Sequence, residues 1–419
     1  MNQIIHSGNY RGKIQVPPSK SDAQRAILAA GLAQGTSHLT NYGNSDDELV
    51  MQNFIRQIGA EIIEKKNRVL RVNGTNSFPS EATFQIGESG LSARLITAIC
   101  AAHPGHFIIK GEGSLLERPM HSFQDILPMF GIHFQSNQGF LPLHISGGPM
   151  QGKKAQIDSS TGSQYLSGLL MALPMIDEDS SLNVHQLVSR PYVEMTLRTM
   201  SKFGVFIEQD SLQTFHIKGK QKYLPASYYI ESDWSSASYW LVASALGLEI
   251  ETGELNPQSL QADRLILSAF KAANCEVEFH QGNYKIHGKF RQAFEFDATH
   301  CPDLFPALTT FASLCPGTTI LKGLKRLRYK ESNRGEALQT EFAKLGVQID
   351  LKEDEMFIHG RDQLRGAQVN SHRDHRIAMC LAIAGMFSET PIEISDSEAA
   401  SKSYPEFWDH LNSLKTENQ

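Results

Sequence analysis

Apolar and polar positions along the chain form one phrase that recurs five times. It runs as an amphipathic helical stretch, a Gly or Asn, a short alternating strand, a polar turn, and a second strand closing on Gly. The copies read MQNFIRQIGAEIIEKKNRVLRVNG, FQDILPMFGIHFQSNQGFLPLHISG, MTLRTMSKFGVFIEQDSLQTFHIKG, LILSAFKAANCEVEFHQGNYKIHG and LQTEFAKLGVQIDLKEDEMFIHG. Their helix-ending residues, Gly59, Gly131, Gly204, Asn274 and Gly346, lie 72, 73, 70 and 72 residues apart. Gly and Asn suit these positions because helices commonly stop on a left-handed residue. A fixed period of this size marks a repeated supersecondary unit.

A second element recurs between these phrases, a helix rich in small residues. Its six copies begin at SKSDAQRAILAAGLA, SGLSARLITAICAA, TGSQYLSGLLMALP, DWSSASYWLVASALG, DLFPALTTFASLC and RDHRIAMCLAIAG. Five are followed by a strand-like run: TSHLTNY, HFIIKG, SSLNVHQ, TTILKG or PIEIS. The predicted unit is therefore a helix, a strand, a second helix and a hairpin. The sixth copy lacks the hairpin and ends in EFWDHLNSL, so NQIIHSGNYRGKIQV at the start is expected to supply its two missing strands. Six units divide into two lobes of three. The expected division is 1–18 plus 232–419 as a lower lobe and 19–231 as an upper lobe, with crossovers near Pro17–Pro18 and Glu231 forming a hinge around an inter-lobe cleft.

Composition narrows the function. With 419 residues, 41% hydrophobic and 20% charged, the chain reads as an ordinary globular protein of two domains. A formal charge of −6 without a basic run argues against nucleic acid as a partner. The longest apolar stretch, LSGLLMALPMI, is too short for a bilayer and the start carries no long apolar segment, so no membrane partner and a cytoplasmic location are expected. Five cysteines without a C-x-x-C pair fit a reducing compartment and exclude a zinc ribbon.

The candidate chemistry lies at the starts of the small-residue helices. Ser21, Ser89, Ser163, Ser235, Asp303 and Asp374 stand there as N-cap candidates. Lys20, Arg25, Arg94, Arg373 and Arg376 stand beside them, where the helix dipole disfavours cations. An anionic ligand, phosphate or carboxylate, resolves that conflict. Arg118 precedes a helix-starting Pro119, and Ser189, Arg190 and Tyr192 open another helix. Lys330, Glu331 and Arg334 fall within one predicted helical turn, with Lys330 and Arg334 on one face, and Lys402 precedes the last helix. GESGLSAR lacks the ending of a P-loop, no G-x-G-x-x-G follows a strand, and His372, Asp374 and His375 have no second cluster to complete a metal site.

PPSKSDAQRA, LLERPM, LVSRPYVEMTL, SDWSSASYW, YKESNR, RDHRIAM and SKSYPEFW, in this order and spacing, resemble the EPSP synthase (3-phosphoshikimate 1-carboxyvinyltransferase) family of enolpyruvyl transferases. The resemblance implies an α/β (α+β) fold of two lobes, each of three βαβαββ-like units, the inside-out α/β barrel of these enzymes. It also implies transfer of the enolpyruvyl group of phosphoenolpyruvate to the 5-hydroxyl of shikimate 3-phosphate by addition and elimination, by a monomer with no metal or organic cofactor. By motif, Lys20, Gly90, Arg118, Gln164, Arg334, Arg376 and Lys402 correspond to the phosphoenolpyruvate site. Lys20, Ser21, Arg25, Ser163, Gln164, Ser189, Asp303 and Lys330 correspond to the shikimate 3-phosphate site. Asp303 is the candidate base for the 5-hydroxyl, and Glu331, assisted by Lys20, the candidate acid for the methylene carbon.

Three departures from the family pattern stand out. Gly87-Glu88-Ser89-Gly90-Leu91 replaces Gly-Asn-Ala-Gly-Thr, which changes the wall around phosphoenolpyruvate. Gly162-Ser163-Gln164 replaces Ser-Ser-Gln, so a backbone N–H is expected in place of one hydroxyl, and Arg326 stands where Asn is usual. The rival UDP-N-acetylglucosamine 1-carboxyvinyltransferase reading needs a loop cysteine that KGEGSLLERPM lacks, and a non-catalytic repeat scaffold leaves the cations unexplained.

Overall fold

The computed structural model describes residues 1–66 and 68–416. They form two compact units, one of Pro18–Glu231 and one of Met1–Pro17 with the chain from Ser232 on. The fold is mixed α/β, built from small sheets and helices.

In Pro18–Glu231, each of three four-stranded sheets repeats one pattern: a parallel pair followed by an antiparallel hairpin. Glu81–Gln85 pairs parallel with Gly105–Lys110, which pairs antiparallel with Phe140–Gly147 and, beyond it, His133–Asn137. Lys154–Asp158, Ser180–His185, Thr214–Ile217 and Glu208–Asp210 repeat the order. The remaining sheet takes its parallel strand from the far end of the unit, where Ser227–Tyr229 pairs with Gly35–Thr40, which lies antiparallel to Val69–Gly74.

The other unit repeats the pattern in Glu295–Asp297, Thr318–Lys322, Glu355–His359 and Gln348–Lys352. Here the amino terminus departs from expectation. Its two strands do not pair with each other. Gln3–Ile5 completes the last sheet, antiparallel to Ile392–Ser395, whereas Arg11–Gln15 pairs parallel with Glu249–Gly253 in a different sheet. Alternation identifies a strand but not its partner, and both sheets have a place to fill. Tyr10 bridges Lys415, so the described ends of the chain meet.

The helix-ending residues all adopt positive φ: 103° at Gly59, 80° at Gly131, 78° at Gly204, 61° at Asn274 and 84° at Gly346. The small-residue helices are buried along nearly their whole length: Lys20–Leu32, Gly90–Ala101 and Gln164–Ala172 in one unit, Trp234–Ala245, Phe305–Ser313 and His375–Gly385 in the other. Smallness allows close approach. A Cβ on Gly168 would lie 2.6 Å from the Arg94 carbonyl oxygen of the neighbouring helix. These buried helices carry the candidate residues at their amino ends.

Candidate functional site

In Pro18–Glu231, helix Lys20–Leu32 starts directly after Ser19, which makes no side-chain capping bond. Neither does Ser89, ahead of Gly90–Ala101, nor Ser163, ahead of Gln164–Ala172. Three helix starts here therefore carry serines that do not cap in the usual way, and orphan N–H groups at a helix start favour anions.

Arg25 stands one turn into the first of these helices, 1% exposed. Its Nε donates to Thr196 Oγ1 (2.7 Å), its Nη1 to the Ser21 carbonyl (2.7 Å), and its Nη2 to Ser167 Oγ and the Tyr192 carbonyl (both 3.4 Å). Among the described residues no carboxylate bonds to it. Asp22, one turn earlier, accepts instead from the Tyr228 hydroxyl at 2.6 Å. Burial pushes the Arg25 guanidinium down to about 10, opposed by the through-space pull of Asp22. Burial raises Asp22 itself, so its own charge is disfavoured. Arg25 is thus a cation fixed by neutral oxygens, a poor arrangement unless an anion completes it.

Lys20 is held by Asp47 at 3.0 Å. Asp47 also receives a long hydrogen bond from Gln24, which accepts from Ser92. Arg118 is 8% exposed and follows the 3₁₀ turn Gly113–Glu117. Its guanidinium lies against Gly90, where a Cβ would meet Nη1 at 2.4 Å and Cζ at 2.7 Å. A side chain at that position would push the guanidinium aside. Ser189 stands at the N-cap position of helix Arg190–Lys202 in a left-handed backbone, φ 54°, without a side-chain capping bond. Ser21 and Gln164 are partly exposed at their helix starts.

In the other unit the arrangement reverses, because carboxylates gather around the cations. Arg334 is 1% exposed. Its Nε donates to Asp374 Oδ2 (2.7 Å), its Nη1 to Asp303 Oδ1 (2.7 Å) and its Nη2 to Glu331 Oε2. Asp303 also receives Arg376 Nη2 at 3.0 Å and Lys330 Nζ at 3.2 Å. Burial alone would raise the Asp303 carboxyl. Arg376, then Lys330 and Arg334, overcome it and hold the carboxyl well below its usual range. Burial lowers Lys330 despite the pull of Asp303. Burial also opposes the charge of Arg334, but Asp374, Glu331 and Asp303 outweigh it and raise that group. Lys402 is 7% exposed in the turn Ser397–Lys402.

Asp233 and Asp374 cap their helices with side chains, accepting from the N–H of Ser235 and of Arg376. Next to them Asp263 is 1% exposed, and its Oδ2 accepts from the Ser235 hydroxyl. Burial, reinforced by Asp303, pushes it up to about 7. Sequence reading missed Asp263 because it sits in a short 3₁₀ turn, Ala262–Leu265, with no periodic signal. It missed Asp47 as the partner of Lys20 for a similar reason, since the two lie on different helices.

Several local expectations are corrected. The N-caps are Ser19 and Asp233 rather than Ser21 and Ser235, and Asp303 lies in the 3₁₀ turn Pro302–Leu304 before its helix. Lys330 and Glu331 precede helix Arg334–Lys344 instead of sharing a helical face with Arg334, and the loop brings them to it through Asp303 and a direct ion pair. Arg373 and Arg190 are exposed. The helix after Pro119 begins at His121.

Among the described residues no His, Cys, Asp and Glu group could hold a metal ion, and no helix is long and apolar enough to cross a membrane. The family profile described as EPSP synthase (3-phosphoshikimate 1-carboxyvinyltransferase) matches residues 5–411. A relative named 3-phosphoshikimate 1-carboxyvinyltransferase from Clostridium kluyveri is 35% identical over 98% of this chain and 96% of its own. One of the same name from Clostridium acetobutylicum is 37% identical over 96% and 95%. The solved EPSP synthase from Acinetobacter baumannii superposes with a TM-score of 0.82 at 26% identity, covering 99% of this chain and 98% of that one. With a match that runs nearly end to end and the motif residues standing where the fold makes helix starts, the chain belongs to the EPSP synthase (3-phosphoshikimate 1-carboxyvinyltransferase) family.

Proposed function

We propose that this chain transfers the enolpyruvyl group of phosphoenolpyruvate to the 5-hydroxyl of shikimate 3-phosphate. The new bond joins that oxygen to C2 of phosphoenolpyruvate, and the C2–O bond to phosphate breaks after a tetrahedral intermediate. Both substrates carry phosphate and carboxylate, so fixed cations and helix starts offset their mutual repulsion. Lys20, Gly90, Arg118, Gln164, Arg334, Arg376 and Lys402 hold phosphoenolpyruvate. Lys20, Ser21, Arg25, Ser163, Gln164, Ser189, Asp303 and Lys330 hold shikimate 3-phosphate. Both sets come from one chain, so the reading requires only a monomer.

The observation that carries the proposal is Arg25, a buried cation bonded, among the described residues, by neutral oxygens alone. The carboxylates act on the same logic in reverse. Asp303, pinned by Arg376, Lys330 and Arg334, is a weak base without substrate. When the substrates' anions draw those cations onto themselves, Asp303 gains basicity and takes the 5-hydroxyl proton. Glu331, protonated once Arg334 is drawn onto the substrate, delivers its proton with Lys20 to the methylene carbon and takes it back on elimination, while Asp303 passes the 5-hydroxyl proton to the departing phosphate. Phosphate release should require both substrates together. Release with UDP-N-acetylglucosamine in place of shikimate 3-phosphate, or none with the proposed pair, overturns the reading.

A further inference from the structure

Arg118 needs a reason to lie where it does. It follows the turn Gly113–Glu117, and its N–H donates to the Leu115 carbonyl at 3.2 Å while the Leu115 side chain is fully buried. The start of that turn is held from another part of the chain. Glu88 Oε2 accepts from the Ser114 hydroxyl at 2.6 Å and from the Ser114 N–H at 3.3 Å. Alongside, the Glu112 N–H donates to the Gly87 carbonyl at 2.9 Å. The fit is close: at Gly113, φ 53°, a Cβ would lie 2.1 Å from Glu88 Oε1. The segment carrying Gly90 is thus laced to the segment carrying Arg118 just before the two meet.

We propose that Glu88 is a positioning residue for phosphoenolpyruvate: its carboxylate clamps the Gly113–Glu117 turn and so sets the Arg118 guanidinium over Gly90. The inference rests on the assignment of Arg118 to phosphoenolpyruvate. It also gives a role to one of the three departures from the family pattern. Aiming the carboxylate at the turn keeps it engaged with Ser114, where an unengaged carboxylate near an anionic substrate would repel it.

The test compares E88A, E88Q and S114A with the parent. In E88A and S114A the KM for phosphoenolpyruvate should rise roughly tenfold, the equivalent of one lost capping interaction. The kcat and the KM for shikimate 3-phosphate should stay within about twofold, and E88Q, which still accepts from Ser114, should recover most of the loss. Equal changes in both KM values, an unchanged KM for phosphoenolpyruvate, or E88Q as impaired as E88A would overturn the clamp. Amide hydrogen exchange over 112–118, read without substrate, should quicken in E88A and not in E88Q. Protection unchanged in E88A counts against the proposal even if the parent chain releases no phosphate, the outcome that would instead sink the functional reading.

Discussion

Arg25 and Arg334 are both 1% exposed, yet their surroundings are opposites. Hydroxyls and carbonyls surround Arg25, while Asp374, Asp303 and Glu331 converge on Arg334. The helix starts differ in the same sense. Ser19, Ser89 and Ser163 leave their side chains out of capping, whereas Asp233 and Asp374 cap fully. Around Arg25 the helix start offers no carboxylate partner among the described residues, whereas around Arg334 three converge. A buried cation without a counter-ion is costly, and one with three is a structural anchor. On the proposed function, the first arrangement serves binding and the second holds reactive carboxylates in check.

The sharpest way to break this comparison acts on the restrained carboxylate. D303N keeps the shape but cannot accept a proton, so kcat for phosphate release should fall by roughly 10²–10⁴ with substrate binding retained. Turnover near the parent rate would remove Asp303 from the mechanism. Next comes the anchor. R334M takes the guanidinium from buried Asp374, from Glu331 and from Asp303, which keeps Arg376 and Lys330, so urea unfolding should show a loss of about 3–5 kcal/mol. A loss under about 1 kcal/mol would mean the carboxylates do not depend on it.

Asp263 gives a pH signature. Its folded value, about 7, lies above the usual carboxyl value. Between about pH 4 and pH 7 the unfolded chain has lost this proton while the folded chain keeps it, so this group makes stability fall as pH rises through that window, then level off. Asp303 has the opposite sign. Its depressed value adds stability above about pH 4 that is lost as pH falls further. D263N should therefore gain stability over the parent from pH 5 to pH 8 in denaturation curves, and a constant difference across that range contradicts the account. The smallest effect concerns capping. D233A should cost about 1 kcal/mol and S163A well under half of that, because only the first removes a capping bond.

Much of this was legible in the sequence. The left-handed stops at Gly59, Gly131, Gly204, Asn274 and Gly346 have a strong local signature, and so do the long small-residue helices. The short parallel strands did not. Glu295–Asp297 and Gln368–Asn370 span three residues each, too few for any period to show, and their partners lie across a helix. The motif cations were readable, but their partners were not. That Arg334 draws on the carboxylates of residues 303, 331 and 374 while Arg25 bonds to no carboxylate among the described residues is a fact of tertiary placement, invisible to helix-by-helix reasoning.

The central claim is that the counter-ion of Arg25 is the substrate. Urea unfolding of the parent and of R25M, each with and without shikimate 3-phosphate, tests it directly. The account predicts that R25M alone is as stable as the parent or more so, and that shikimate 3-phosphate stabilises the parent but not the variant. A variant that loses several kcal/mol without ligand, or that is still stabilised by shikimate 3-phosphate as the parent is, would show Arg25 to be an internal strut and contradict the account.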